Sequence, residues 1–121
     1  MHDTLIEAGT LIESIERDDW LVVDCRFNLM APDEGREFYL EAHIAGAVFA
    51  DLDKVLSHPP TTDVGRHPLP SPAIINERFS TLGINPAMQV IAYDAGPGVM
   101  ASRLWWMLRY MGHERVAVLN G

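Results

Sequence analysis

The sequence predicts an α/β fold, a parallel β-sheet with helices on both faces, in a single domain over residues 1–121. Apolar runs alternate with helical patterns along the chain. Two of those runs, Trp20-Leu21-Val22-Val23 and Val90-Ile91-Ala92-Tyr93, are continuously apolar, as strands buried on both faces are. The second run stops at Asp94 and opens into Ala95-Gly96-Pro97-Gly98, and a helical pattern follows at once.

The elements follow in order. Leu5, Leu11, Ile12 and Ile15 predict a short strand leading into a helix capped by Thr10. Trp20 to Val23 is a strand ending in Asp24, and Phe27 to Arg36, with its Asn, Pro, Asp and Gly, reads as a loop. Glu37 to His43 is a short helix, and Ala47-Val48-Phe49 is the next strand, with Gly46 at the turn before it. Ser57 to Pro72 is rich in Pro, Thr, Asp and Gly, a long connection of the kind found on a surface or near a site. Ser71-Pro72 supplies an N-cap and a first-turn proline for a helix that runs to Leu82 and stops at Gly83. Gln89 to Tyr93 is a strand, Val99 to Met111 a helix and Val116 to Leu119 a strand. Ligands of such sheets bind at the carboxyl ends of the strands, here Asp24-Cys25-Arg26, Asp51 to Asp53 and the Asp94 loop. The sequence stops at Asn120-Gly121, just after a strand and without a closing helix, which reads as a C-terminal truncation.

Composition narrows the function. Hydrophobic residues at 48% and charged ones at 21% belong to an ordinary globular protein. A formal charge of −8 argues against nucleic acid or an anionic membrane as partner. No apolar stretch approaches the roughly 20 residues needed to cross a bilayer, and the acidic N-terminus lacks a signal peptide's regions. Cys25 is the only cysteine, so no internal disulfide forms and a reducing cytoplasm is the expected location. A lone thiol does not make a zinc site, and His58, His67, Asp51 and Asp53 match no closed zinc or calcium spacing, so neither metal nor cofactor is expected.

Several segments together carry a resemblance. Asp24-Cys25-Arg26 after a strand, His43-Ile44-Ala45-Gly46-Ala47, the Tyr93-Asp94 loop, Arg103-x-Trp105-Trp106-Met107-Leu108-Arg109 and Gly112-His113-Glu114-Arg115-Val116 resemble the N-terminal domain of tandem-domain rhodaneses, the thiosulfate and 3-mercaptopyruvate sulfurtransferases. The resemblance covers about residues 21–121. It implies the rhodanese-like fold and a second rhodanese domain as partner, whose cysteine carries sulfane sulfur from a small anionic donor to a thiophilic acceptor. The N-terminal domain of the family lacks that cysteine. Asp94 stands at the nucleophile's position, in a degenerate active loop with Gly96 and Gly98, about one residue longer than an active one. This chain then resembles the non-catalytic half. The resemblance also implies that Asp53, of Asp51-Leu52-Asp53, and His67, of His67-Pro68-Leu69-Pro70, are lent to the partner's active loop to polarise a serine. It makes Asp24 and Arg26 an architectural pair near the site.

Each residue also has a plainer reading. Asp94, at a strand end facing a helix N-terminus, can satisfy free N–H groups and the helix dipole, and a carboxylate cannot form a persulfide. Cys25 reads as a strand cysteine, since Arg26 beside it points to the opposite face and no glycine-rich helix N-terminus follows. A cysteine-dependent phosphatase would need arginine five residues after Cys25, where Met30 stands. Asp53 reads equally as a cap and His67 as a surface histidine. Arg36 and Arg66 flank the expected cleft and could draw an anion, or could be solvated loop arginines. His43 reads as fixing a turn. The apolar residues around Trp105 and Trp106 span more than one helix face, which predicts one side under the sheet and another against a second domain. A stand-alone binding or regulatory module, docking through the Asp94 loop or the tryptophan face, is the alternative function.

Overall fold

The structure, a computed structural model, describes residues 4–14, 17, 19–27, 34–44, 46–51, 71–95 and 98–120. Its elements run β1 (Leu5–Glu7), α1 (Ala8–Ser14), β2 (Trp20–Asp24), α2 (Glu34–Glu41), β3 (Val48–Phe49), α3 (Pro72–Leu82), β4 (Gln89–Tyr93), α4 (Val99–Tyr110) and β5 (Val116–Asn120). The five strands form one sheet in the order β1-β5-β4-β2-β3, and every pairing is parallel. This is the α/β architecture predicted, and the long apolar runs form its centre. All five residues of β4 are buried, as a strand between two others and covered on both faces requires.

Side-chain alternation divides the core in two. Val23, Val90, Ala92, Val116 and Val118 point to one face, where Ile75 and Phe79 of α3 and Ala101, Leu104, Met107 and Leu108 of α4 cover them. Val22, Ile91, Tyr93 and Ala117 point to the other face, together with Leu11 of α1 and with Ala47 and Ile44 from the turn before β3.

Local signals explain most boundaries. Ser71 is extended and its hydroxyl accepts from the Ile74 N–H at 3.5 Å, with Pro72 in the first turn. Gly83 closes α3 with φ +95°, its N–H reaching the Phe79 and Ser80 carbonyls. Gly46 turns the chain into β3 with φ +77°.

Two boundaries depart from the sequence reading. Thr10 lies inside α1 and does not cap it, because β1 runs into α1 at Ala8 with no intervening turn. Helix α2 starts at Glu34, within the stretch read as a loop, and ends at Glu41, two residues before His43. Gly35 reads as a breaker but serves close packing: a Cβ there would collide with the Arg26 carbonyl oxygen. Glu34 and Glu37 place negative charge in the first turn, where the dipole favours it.

Candidate functional site at the carboxyl ends of β2 and β4

Because β2 and β4 pair in register, Asp24 lies opposite Tyr93, and both side chains point to the face that carries α1. Asp24 is fully buried. Its carboxylate accepts from the Arg26 guanidinium (Nη2 2.7 Å, Nε 3.0 Å), from the Arg26 backbone N–H at 2.9 Å and from the Tyr93 hydroxyl at 3.0 Å. Four donors converge on this one buried carboxylate and replace the hydrogen bonds that burial takes from it. Arg26 reaches further: Nη2 donates to the Ala42 carbonyl at 2.6 Å, and the guanidinium carbon lies 5.8 Å from the Tyr93 ring centroid and 5.9 Å from that of Phe38. The hydrogen bond to Asp24 pushes the guanidinium's pKa up. Burial chiefly pushes the Tyr93 phenol up to about 12, opposed by the Ile44 N–H and reinforced by the Asp24 charge.

This network ties the segment after β2 to the α2–β3 connection. The Tyr93 hydroxyl also accepts from the Ile44 N–H at 3.3 Å, and the Tyr39 hydroxyl donates to the Ala47 carbonyl at 2.6 Å. The His43 ring stacks on Tyr39 with centroids 3.9 Å apart, and its Nδ1 donates to the Tyr39 carbonyl at 2.7 Å. His43 therefore packs on the end of α2, at the turn where the sequence places it. The Ala50 N–H donates to the Asp24 carbonyl, so the chain leaves towards buried Asp51 from the root of the same network.

The other face holds the Asp94 loop. One carboxylate oxygen accepts from the Gly98 N–H at 3.2 Å and the other from the Ala101 N–H at 2.8 Å. Gly98 stands at the N-cap of α4 with φ +92° and lends no side chain, so Asp94 serves the first turn from four and seven residues away. An anion of the chain's own is thus bound at this helix N-terminus.

Cys25 follows β2 on the α3–α4 side and is 1% exposed. Its thiol is pushed well above its usual value, chiefly by burial and further by the carboxylates of Asp24 and Asp94. A reactive thiolate needs the opposite surroundings, exposed and electropositive. Cys25 packs as a small apolar residue, its thiol 3.9 Å from the Val23 carbonyl oxygen.

Of the predicted site residues, the structure joins Asp24 to Arg26 and Asp94 to Gly98, on opposite faces of the sheet. Asp53, His67, Gly96, His58 and Arg66 lie outside the described residues. Arg36 is exposed on α2. Trp105 packs partly buried against the core, whereas Trp106 is 48% exposed and stacks on Tyr110 with centroids 5.3 Å apart. No group of three potential metal ligands occurs among the described residues, and no helix among them is long and apolar enough to cross a membrane. Sequence reading missed Tyr93 as the centre of the Asp24–Arg26 network. The available signal was a polar-tipped aromatic ending a buried strand, since such a hydroxyl requires a partner.

Comparison with known proteins places this geometry. The family model described as rhodanese-like domain matches residues 7–121. The chain is 44% identical over 119 residues to a Pseudomonas aeruginosa protein named "Probable 3-mercaptopyruvate sulfurtransferase", covering 97% of this chain and 42% of that protein. It is 34% identical over 118 residues to the Escherichia coli K12 3-mercaptopyruvate sulfurtransferase, covering 96% of this chain and 41% of that protein. Among solved structures, the 3-mercaptopyruvate sulfurtransferase from Leishmania major superposes with TM-score 0.88 at 32% identity, over 98% of this chain and 32% of that one. The chain thus spans less than half the length of these relatives.

Proposed function

Because the chain belongs to the family of rhodanese-like domains, we propose that it is the non-catalytic N-terminal half of a two-domain sulfurtransferase. The parent protein moves sulfane sulfur from 3-mercaptopyruvate or thiosulfate to a thiophilic acceptor. In that reaction a cysteine thiolate of the second domain attacks the transferable sulfur, the outer sulfur of thiosulfate or the thiol sulfur of 3-mercaptopyruvate, and becomes a persulfide. Sulfite departs as the S–S bond of thiosulfate breaks, or the C–S bond of 3-mercaptopyruvate breaks to leave the pyruvate enolate, which takes up a proton; the acceptor then removes the sulfur and restores the thiolate.

One observation carries this reading: the loop after β4, where the strand meets a helix N-terminus, is filled by the carboxylate of Asp94. A carboxylate there cannot carry sulfane sulfur, and it already holds the amide donors that would activate a thiolate. The only cysteine of the chain, Cys25, is buried beside two carboxylates. The names of the relatives and the share of their length that this chain covers support placing the chemistry in a further domain.

In this proposal the Asp24–Arg26–Tyr93 network fixes the loops at the carboxyl ends of the strands. Gly96 and Gly98 shape the degenerate loop. Asp53 and His67 assist the partner's active loop, the imidazole carrying a proton and the carboxylate orienting it. The protein acts in a reducing cytoplasm, where its lone thiol stays reduced.

The test is the rate at which the intact protein forms thiocyanate from cyanide with each donor. Transfer is expected with 3-mercaptopyruvate or thiosulfate, with kcat unchanged in Cys25→Ala and reduced in Asp53→Asn or His67→Ala. Absence of transfer with both donors contradicts the proposal.

A further inference from the structure

Helix α4 buries Leu104, Met107 and Leu108 in the core and leaves Ser102, Trp106, Arg109 and Tyr110 exposed. The spacing of these four, at i, i+4, i+7 and i+8, places them on one stripe of the helix. Trp106 and Tyr110 are 48% and 52% exposed, their rings stacked within 9° of parallel. Arg109 lies over the Trp105 ring, its guanidinium carbon 5.1 Å from the centroid.

This face differs from the other exposed apolar residues. Among the described residues, β1 and α1 each expose one aliphatic side chain, Leu5 and Ile12. Helix α2 exposes Leu40, and its Phe38 already lies beneath the Arg26 guanidinium. Such side chains are ordinary on a surface. Tryptophan, tyrosine and arginine are instead the residues that the centres of protein interfaces concentrate. Stacked on one another, those of α4 are already ordered, so covering them costs little side-chain entropy.

Charge and length select the partner. Helix α4 carries Arg103 and Arg109 and no acid, in a chain of net charge −8. Nucleic acid and anionic membranes, which a face of arginine and tryptophan suits locally, are repelled by the chain as a whole. A second copy laid α4 against α4 brings together two acid-free, arginine-bearing faces, like against like. The chain spans 42% and 41% of its Pseudomonas aeruginosa and Escherichia coli relatives, so more than half of such a protein lies outside these residues. A tethered domain docks at an effective concentration of about millimolar, so one helix face is sufficient.

We infer that the outward face of α4 is the seat of the second domain of the same polypeptide. Trp106 and Tyr110 form the centre of the contact, and Arg109 faces a carboxylate of that domain. The inference rests on the proposal that a second domain accompanies this one. Trp106 lies eight residues beyond Gly98, about 12 Å along the helix axis, so the contact keeps the second domain beside the Asp94 loop.

The test is hydroxyl-radical footprinting of the intact protein, with tyrosine oxidation read by peptide mass spectrometry across a dilution series. Uncovered, Tyr110 reacts roughly sixfold faster than Tyr93, the ratio of 52% to 8% exposure. Seated against a second domain, it is expected to react as slowly as Tyr93 at every dilution. A photo-crosslinking p-benzoylphenylalanine in place of Ser102 is expected to join, within one polypeptide, a peptide outside residues 1–121. A sixfold faster Tyr110, protection lost on dilution, or a cross-link between two copies overturns the inference. Protection of Tyr110 with that intrachain cross-link, in a protein that transfers no sulfur, upholds this contact and removes the proposed chemistry. Sulfur transfer with Tyr110 open removes the contact alone.

Discussion

Replacing Arg26 with methionine removes the cation from a fully buried carboxylate while preserving most of the side chain's apolar volume. Asp24 then loses the bonds from Nε and Nη2, at 3.0 and 2.7 Å, and the α2–β3 connection loses its tie to Ala42 at 2.6 Å. Breaking one side of a buried ion pair costs about 3–5 kcal/mol. Asp24 keeps the Tyr93 hydroxyl and the backbone N–H of residue 26, which places Arg26→Met near the lower end, about 3 kcal/mol. That is a large part of the roughly 5–15 kcal/mol that holds a typical domain together. Asp24→Asn leaves the partly exposed guanidinium able to turn to water and costs about 2 kcal/mol. The double variant buries no unpaired charge, so it falls short of the sum by about 1–3 kcal/mol. Urea unfolding followed by tryptophan fluorescence reads each value from the midpoint at constant m. A cost for Arg26→Met below about 1 kcal/mol, or a double variant additive within about 0.5 kcal/mol, refutes the reasoning.

Other expectations follow from the same geometry. Asp94→Ala removes the acceptor for the Gly98 and Ala101 N–H groups and should lower stability by about 1–2 kcal/mol, with Asp94→Asn losing less in the same urea experiment. Cys25 should resist alkylation in the folded protein and react at the rate of global unfolding; fast labelling at neutral pH would contradict its burial. Its raised pKa also fixes a sign, since the folded state holds the thiol proton more tightly than the unfolded state does. This contribution is complete below the ordinary thiol pKa of about 8.5 and is lost as pH rises above it, so the fall in stability over alkaline pH should shrink in Cys25→Ala. Gly35→Ala should cost about 1–3 kcal/mol or more because its Cβ meets the Arg26 backbone. Gly9→Ala, in helix α1 with nothing within 4 Å, should instead gain about 0.5–1 kcal/mol, a contrast that thermal unfolding of the two variants checks.

The parts legible in the sequence are those set by local pattern. The unbroken apolar runs of β2 and β4 announced a sheet buried on both sides, and Ser71-Pro72 with Gly83 marked α3 closely. Asp94 was readable as an acid facing a helix N-terminus, although the amides it serves, Gly98 and Ala101, depend on how the loop folds. What escaped reading depends on register and close approach. Nothing local pairs Asp24 with Tyr93, 69 residues on; the β2–β4 register does. Gly35 looked like a loop residue because glycine's local meaning is flexibility, whereas its use here is contact with the Arg26 backbone. Thr10 looked like a cap because the sequence offers no sign that a strand passes into a helix without a turn. The breadth of the apolar surface on α4 was legible, yet only packing separates half-buried Trp105 from Trp106 stacked on Tyr110.

The central claim is that this domain frames a sulfur-transfer site without carrying the sulfur. Its most direct test is peptide mass spectrometry of the intact protein after brief exposure to 3-mercaptopyruvate or thiosulfate. The account predicts one added sulfur atom on a cysteine outside residues 1–121, with the Cys25 peptide unchanged. A persulfide on Cys25 that forms and discharges at the rate of turnover would contradict it.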